Sequence, residues 1–166
     1  FDGIDTSIDG LIQYAGVRAN RDLAIGLAAV TRHARDALSS FETDRMAGVR
    51  VSVLSGLAAV RNLRAAIGSL DLLEDARWEV DFRLAAKERQ FERAVVLAHR
   101  LRLEAFADDG LVTPDQPITV SALVANSGDA DVVVRQVSLT GFDRTSVACG
   151  EDVLAVADVY RCSAEL

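Results

Sequence analysis

Residues that bind metals or run catalysis are scarce in this sequence. Its 166 residues include two histidines, two cysteines and one tryptophan, and aromatic residues make up 5% of the chain. No apolar run approaches the length that crosses a bilayer, and no signal peptide is visible. The chain lacks an initiating Met, which indicates a processed chain or a segment of a longer protein. If that protein is secreted, its signal lies upstream of Phe1.

The two histidines stand apart, which argues against a zinc centre. His33 and His99 each lie in a predicted helix with no second His three or four residues away, the spacing that a helical zinc site uses. The sequence also has no Gly-rich phosphate loop, nucleophile elbow or Cys-x-x-Cys pair. We therefore predict no catalytic, cofactor-binding or metal-binding residue in this segment, and a small enzyme in its own right is the least favoured hypothesis.

Charge is distributed unevenly along the chain. Residues 1–100 hold 14 acidic and 14 basic residues, whereas residues 101–166 hold 11 acidic residues and 4 Arg, so the net charge of −7 belongs to the second part. An acidic surface repels a phosphate backbone, and the Arg-rich first part has acids mixed in rather than a basic stripe. Nucleic acid is therefore not expected as a partner.

Apolar residues recur at helical spacing through residues 1–100. Asp5-Thr-Ser7 supplies an N-cap for a short helix that stops near Gly16, and three long helices follow over about 21–41, 45–67 and 73–100. Their short connections favour antiparallel neighbours, so we predict an antiparallel helical bundle. The small run from Ser52 to Gly56 predicts a tight crossing or a kink. The side chains expected in the core, with Trp78 beside them, are Leu27, Val30, Val53, Leu57, Val60, Phe82, Phe91 and Val95.

The hydrophobic period changes to alternation near residue 100. Strands are predicted over 101–107, 118–125, 132–139 (with a bulge), 153–156 and 159–163, and a short one at Leu111-Val112. An immunoglobulin-like sandwich usually needs about seven strands. The expected fold is therefore α+β, with a helical bundle over residues 1–100 and a partial immunoglobulin-like β-sandwich over 101–166. The missing strands lie beyond Leu166, or the open face is covered by the bundle or by a second copy.

Two groups of side chains in the second part invite a functional interpretation. Acidic residues in the turns would form a calcium site if they shared one end of the sandwich, although solvated turn acids are the default; they are Asp108, Asp109, Asp129 and Asp131. Three aromatic residues would stack on sugar if exposed, although core or edge packing is the more common role; they are Phe106, Phe142 and Tyr160.

Both cysteines, Cys149 and Cys162, lie in the second part. They are thirteen residues apart, across a predicted turn and strand, and no metal-ligand spacing accompanies them. A disulfide would form if the strands align, and it would stabilise the fold by roughly 3 kcal/mol. The alternative is a pair of buried thiols in a cytosolic protein.

One segment is similar to a known family. The run from Arg102 to Gly110 and the run from Val112 to Asn126 resemble the start of the β-sandwich that follows the helical region in bacterial LmbE-like (PIG-L family) deacetylases. The opening Phe1-Asp-Gly-Ile-Asp-Thr-Ser7, the run from Lys87 to Phe91, Cys149 and the run from Val159 to Cys162 resemble the same proteins. The resemblance covers most of the chain.

This resemblance implies a parent protein that removes acetyl groups from N-acetylglucosamine-like sugars with zinc. The family's zinc motif would lie upstream of Phe1, so no catalytic residue carries over and this segment would be an accessory region that spaces or docks the β module. The implied partner is a protein domain or a carbohydrate, and the location is extracellular or periplasmic. The alternative is an interaction or adhesion module of an unrelated cell-envelope protein, whose helices form a homodimer stalk.

Overall fold

The chain divides into two compact units, Phe1–Ala98 and His99–Leu166. The computed structural model describes residues 7–15, 21–113, 116–140 and 149–166. The first unit is helical and the second is built of antiparallel strands, so the fold class is α+β.

In its described residues, the helical unit contains three long helices after a short 3-10 helix. The 3-10 helix spans Asp9–Ala15, and the long helices are α1 (Arg21–Glu42), α2 (Met46–Ala66) and α3 (Glu74–Ala98). A single 3-10 turn, Ile67–Ser69, follows α2. The predicted bounds agree to within about two residues, because the apolar spacing marks the body of each helix and short polar links end it.

Consecutive long helices run antiparallel, as their contacts show. Gly26 lies against Leu63 and Gly48 lies against Ser40, so α1 and α2 run in opposite directions. A Cβ on Gly56 of α2 would lie 2.2 Å from the ring of Phe91 in α3, which no real Cβ tolerates. The expected tight crossing at Ser52–Gly56 is therefore confirmed, because only glycine lets α3 approach this closely.

Most of the expected core positions are buried. Val30 and Val60 are fully enclosed, Val95 is half-buried, and the remaining buried members of the expected set are Leu27, Val53, Leu57 and Phe91. Phe82 was placed wrongly, because its side chain is 57% exposed, and Trp78 is 66% exposed. The buried stripe of α3 instead follows Val80, Leu84, Phe91 and Ala98. Trp78 and Phe82 each precede a buried residue, Val80 or Leu84, by two positions. Two positions correspond to a rotation of about 200° around the helix axis, so both aromatic residues lie on the solvent side.

Polar contacts attach the 3-10 helix to the long helices. The Ser7 hydroxyl accepts a hydrogen bond from the N–H of Gly10, which caps the first turn as predicted. Asp9 accepts a 2.7 Å hydrogen bond from the buried Thr31 hydroxyl of α1. The guanidinium of Arg83 in α3 lies 3.9 Å from the centre of the Tyr14 ring. Asp5 and Gly16, also part of the expected short helix, lie outside the described residues.

The β unit contains five described strands in two antiparallel sheets. They are β1 (Leu101–Ala107), β2 (Thr119–Asn126), β3 (Val132–Val134), β4 (Asp152–Leu154) and β5 (Val159–Glu165). The larger sheet has the order β1-β2-β5, and β3 pairs with β4 in the smaller one. Leu103 lies opposite Val124, and Val124 lies opposite Tyr160.

Three strand predictions were wrong. Leu111 and Val112 form no strand and are exposed, since the turn residues around them leave no partner strand. The third strand ends at Val134 rather than Leu139, so the expected bulge within it does not arise. The strand predicted over 153–156 ends at Leu154.

The two sheets share a small core that a disulfide closes. Leu154 of the smaller sheet packs with Val124, Tyr160 and Cys162 of the larger one. Cys149 and Cys162 form the predicted disulfide, with Cα atoms 5.9 Å apart. The hydroxyl of buried Tyr160 donates a hydrogen bond to the carbonyl of Gly150, so the segment before β4 is fastened twice to β5.

Asn126, at the end of β2, joins the loop after β2 to the end of β4 and the loop that follows it. Its side chain is 1% exposed, and its Nδ2 lies 2.9 Å from the carbonyl of Ala130, 3.2 Å from that of Leu154 and 3.3 Å from that of Ala155. Its Oδ1 accepts a hydrogen bond from the N–H of Gly128. A buried amide satisfied on both sides fixes the loops around it.

Candidate functional site

An exposed aromatic pair projects from α3 and is the most unusual surface feature of the helical unit. Trp78 and Phe82 are four residues apart, so they lie on the same helix face. Their rings stack with centroids 5.4 Å apart and an angle of 10° between planes. We call this pair the aromatic ridge. Large aromatic side chains are normally buried, and two that are stacked but exposed indicate a surface suited to binding.

An open groove borders the ridge on the side of α2. It has a volume of about 600 Å³ and includes Trp78 in its wall. The other residues that line it come from the end of α2, the 3-10 turn after it and the first turns of α3: Arg64, Ala65, Ile67, Glu74, Arg77 and Asp81. The groove thus combines one aromatic face with both signs of charge, a composition typical of a protein-binding surface rather than a buried active site.

Ion pairs between α2 and α3 begin at this groove. The guanidinium of Arg64 donates to both carboxylate oxygens of Asp81, at 2.8 and 3.1 Å, and to Glu88 at 2.6 Å. Arg61 donates to Glu88 at 2.8 Å and to Glu92 at 2.6 Å. We call these five residues the charge network. Because Glu88 accepts from both arginines, the network acts as one connected set.

The network favours the charged forms of Arg61, Arg64 and Glu88. Hydrogen bonds from Arg61 and then Arg64 lower the pKa of the Glu88 carboxyl. Hydrogen bonds to Glu88 and Glu92 raise the pKa of Arg61, and those to Asp81 and Glu88 raise the pKa of Arg64. A carboxylate held ionised by two guanidinium groups is a poor proton donor near neutral pH. Its chemistry suits recognition and orientation.

The sequence-based expectations for metal ligands can be compared with this geometry. Among the described residues, no group of three or more His, Cys, Asp or Glu side chains is arranged to hold a metal ion, and His33 and His99 belong to no such group. The two cysteines are both used in the disulfide.

The turn acids of the β unit do not share one end of it, which was the condition for a calcium site. Asp108 follows the end of β1, whereas Asp129 and Asp131 follow the end of β2. Because β1 and β2 are antiparallel, these positions lie at opposite ends of the sheet. Asp108 instead accepts a hydrogen bond from the N–H of Thr119, which lowers the pKa of its carboxyl, and Asp131 accepts one from the N–H of Val156.

The aromatic residues proposed for sugar stacking divide into three cases. Tyr160 is buried in the core of the β unit, Phe106 is 51% exposed on β1, and Phe142 lies outside the described residues. The aromatic ridge was missed, because both of its members were assigned to the core. The positions of Val80 and Leu84 could have revealed it. They continue the helical spacing of Phe91 and Ala98, which places Trp78 and Phe82 on the other side of α3.

No helix in the described part of the chain is long and apolar enough to cross a membrane. Comparison with protein-family models, with curated proteins and with solved structures finds no match to this chain.

Proposed function

We propose that this chain is a non-catalytic interaction region whose helical unit docks a neighbouring protein domain through the aromatic ridge. The observation that carries the proposal is the exposed stacked pair, Trp78 and Phe82, beside a groove with mixed charge. The neighbouring domain we propose is the catalytic domain of an LmbE-like, zinc-dependent deacetylase. The sequence resemblance supports that identity, and the ridge supports docking.

Docking on the ridge would bury a useful amount of apolar surface. A Trp or Phe side chain contributes about 150–250 Å² when fully buried, and more than half of each ring is still open here. At about 25 cal/mol per Å², covering both rings would contribute roughly 4–6 kcal/mol. Trp is also the residue type most often found to dominate protein interfaces. The ridge is therefore large enough to act as the centre of an interface.

The arrangement of the rings favours a protein partner over a carbohydrate. The two rings stack on each other, so each has one face already covered and together they form a projecting knob. A sugar ring needs a flat, open aromatic face beside directed hydrogen-bonding groups. A knob with a border of charges fits a pocket on another protein, with apolar centre and polar rim. Carbohydrate binding at this site is the rival outcome in the test.

The charge network provides such a polar rim without placing unpaired charges in the interface. Its carboxylates and guanidinium groups are already paired across α2 and α3, so a partner need not neutralise them. Unpaired charges at an interface would lose hydration without compensation. The paired arrangement leaves their outer atoms in water while they orient the partner.

The disulfide supports an extracellular or periplasmic location. Disulfides persist in oxidising compartments and are rare in the cytosol of mesophiles. Cys149–Cys162 fastens a segment of the small β unit, as is common in secreted domains.

Calorimetric titration tests the docking proposal. The polypeptide encoded immediately upstream of Phe1 should bind this chain, and Phe82→Ala should weaken binding at least tenfold. Phe41→Ala is the matched control, since Phe41 is 64% exposed on α1, away from the groove-lining residues, and should leave the affinity unchanged. Equal effects of the two variants, or no binding, would remove the proposal. Saturable binding of an N-acetylglucosamine oligosaccharide that Phe82→Ala abolishes would replace it with carbohydrate recognition.

Two further observations test the identity of the parent and the absence of catalysis in this segment. The upstream coding sequence should contain an Ala-His-Pro-Asp-Asp-Glu-type zinc motif, and a different kind of domain there would favour an unrelated envelope protein. This chain, incubated with zinc and N-acetylglucosamine, should release no acetate above the protein-free control. Turnover proportional to the chain's concentration would refute a non-catalytic role.

A further inference from the structure

β1 lies at the edge of the larger sheet in the described part of the chain. Among the described strands, β1 pairs only with β2. The N–H of Asp108 donates to the carbonyl of Thr119, and the N–H of Ser127 donates to the carbonyl of Arg100. Hydrogen-bonded pairs alternate in an antiparallel ladder, so even-numbered residues of β1 direct their backbone groups to β2. The backbone groups of the odd-numbered residues, with Leu103 at the centre, therefore point away from the sheet.

The same odd-numbered positions carry apolar side chains on an incompletely covered face. Leu103 lies opposite Val124 of β2, and Val124 lies opposite Tyr160 of β5, so the three side chains share one face of the sheet. Val124 and Tyr160 are buried, but Leu103 is 56% exposed. In the described part of the chain, Leu103 is thus less covered than its neighbours on β2 and β5. Leu101 and Leu103 line an open groove of about 370 Å³ that the segment from Val132 to Val137 also lines.

The charges on β1 are arranged symmetrically about Leu103. Arg102 and Glu104 flank it on the opposite face and form a hydrogen bond within the strand. If a second β1 runs antiparallel with its own Leu103 facing this one, Arg102 lies directly opposite Glu104 of the second copy, and Glu104 lies opposite Arg102 of the second copy. Edge strands that avoid pairing carry proline, bulges or charged side chains, especially Lys. This edge carries opposite charges in a self-complementary order.

We propose that two copies of this chain associate through β1, antiparallel and centred on Leu103, to form a continuous six-stranded sheet. Three observations agree on this register: Leu103 directs its backbone groups away from β2, its apolar side chain is more than half exposed, and the flanking charges match their symmetry partners. The interface is isologous, as a two-fold dimer requires. The proposal is independent of docking through the aromatic ridge.

Charge reversal gives a specific test by sedimentation equilibrium over a wide range of protein concentration. Arg102→Glu places two like-charge pairs in the homodimer, as does Glu104→Arg, and each should weaken dimerisation about tenfold or more. The double variant Arg102→Glu/Glu104→Arg restores both opposite-charge pairs and should dimerise like the original chain. An equimolar mixture of the two single variants should also dimerise, because each supplies the charge that the other lacks.

Amide hydrogen exchange measured by NMR at low and high protein concentration tests the register. The amides of Leu103 and Ala105 should become protected only at high concentration, whereas those of Arg102 and Glu104 should be protected at both. Failure to dimerise, dimerisation insensitive to both reversals, or unchanged exchange at Leu103 would each overturn the proposal. Circular dichroism of each variant verifies that the fold is retained.

Discussion

Replacing Asn126 by alanine should destabilise the β unit strongly, because this one buried side chain joins two loops and the end of β4. The substitution removes the donor that serves the carbonyls of Ala130, Leu154 and Ala155, and the acceptor for the N–H of Gly128. The amide has two hydrogens, so about three hydrogen bonds are lost, at roughly 1 kcal/mol each. We expect a loss of about 3 kcal/mol in the free energy of unfolding of this unit.

Hydrogen exchange followed by mass spectrometry can localise that loss within the intact chain. For a unit of this size, about 3 kcal/mol corresponds to a fall of more than roughly 10 °C in its unfolding midpoint. Peptides from β2 and β5 should lose protection, while those from α1 and α2 should not. Ser127→Ala is the neighbouring control, since Ser127 is exposed, and it should change neither. A loss below about 1 kcal/mol, or one shared by the helical unit, would refute the reasoning.

Asn126→Asp should make the stability of the β unit depend on pH. The carboxylate would face three carbonyl oxygens, so burial and these acceptors should raise the pKa of the new carboxyl above its unfolded value. Both folded and unfolded forms are neutral at low pH, and there the variant should lie closest to the original chain. Its stability should fall as pH rises above about 4, the ordinary Asp pKa, until the folded-state pKa is passed. A variant whose deficit does not grow with pH would contradict this account.

Three further substitutions test other parts of the structure. Gly56→Ala should lower the free energy of unfolding by about 1–3 kcal/mol, measured by urea unfolding with tryptophan fluorescence, because the new Cβ would collide with a buried ring of α3. Gly68→Ala is the control, since a Cβ there has no atom within 4 Å and should leave the stability nearly unchanged. Equal losses in the two variants would contradict the tight crossing. The fold lowers the pKa of Glu88, so its carboxylate stabilises the fold above about pH 4.3, and this stabilisation is lost as pH falls through the folded-state pKa. Glu88→Gln should therefore lower the free energy of unfolding by up to about 1 kcal/mol at pH 7 and leave it unchanged at low pH. A difference that does not depend on pH would contradict the ion-pair network. Replacing both Cys149 and Cys162 by alanine should lower the stability of the β unit by about 3 kcal/mol and make thermal unfolding insensitive to reductant; continued sensitivity would be inconsistent with this disulfide.

The sequence was most informative where spacing alone decides the structure. α1 and α2 carry apolar residues every three or four positions, and their buried faces include Leu27, Val30, Val53 and Val60 as expected. The period-two run at Leu101–Ala107 coincides with β1. The disulfide was also expected, because both cysteines fall in a short segment of strand-forming residues.

Sequence reasoning failed where two stripes compete on one helix. α3 carries apolar residues at Val80 and Leu84 and also at Trp78 and Phe82, so spacing permits either face to be buried. The stripe with Trp78 and Phe82 was assigned to the core because aromatic side chains are large and apolar, and this assignment was wrong. Packing against α2 decides the matter, since Gly56 admits Phe91 and thereby fixes the rotation of α3. That contact is not visible in the spacing of either helix alone.

Strand order and pairing were equally beyond the sequence pattern. The positions of Asp108 and Asp131 along the chain do not reveal that they lie at opposite ends of the sheet; the antiparallel pairing of β1 with β2 decides it. The role of Asn126 was also missed. An Asn-x-Gly turn is common, and only the fold places its side chain among three backbone carbonyls from β4 and two loops.

Fluorine NMR of Trp78 tests the proposed docking role most directly. The chain has a single tryptophan, so labelling with 5-fluorotryptophan gives one resonance from the aromatic ridge. On addition of the polypeptide encoded upstream of Phe1, we predict that this resonance shifts and loses its sensitivity to exchange of H₂O for D₂O, because the ring becomes buried. A resonance that remains solvent-exposed while the two polypeptides are bound to each other would contradict the central claim.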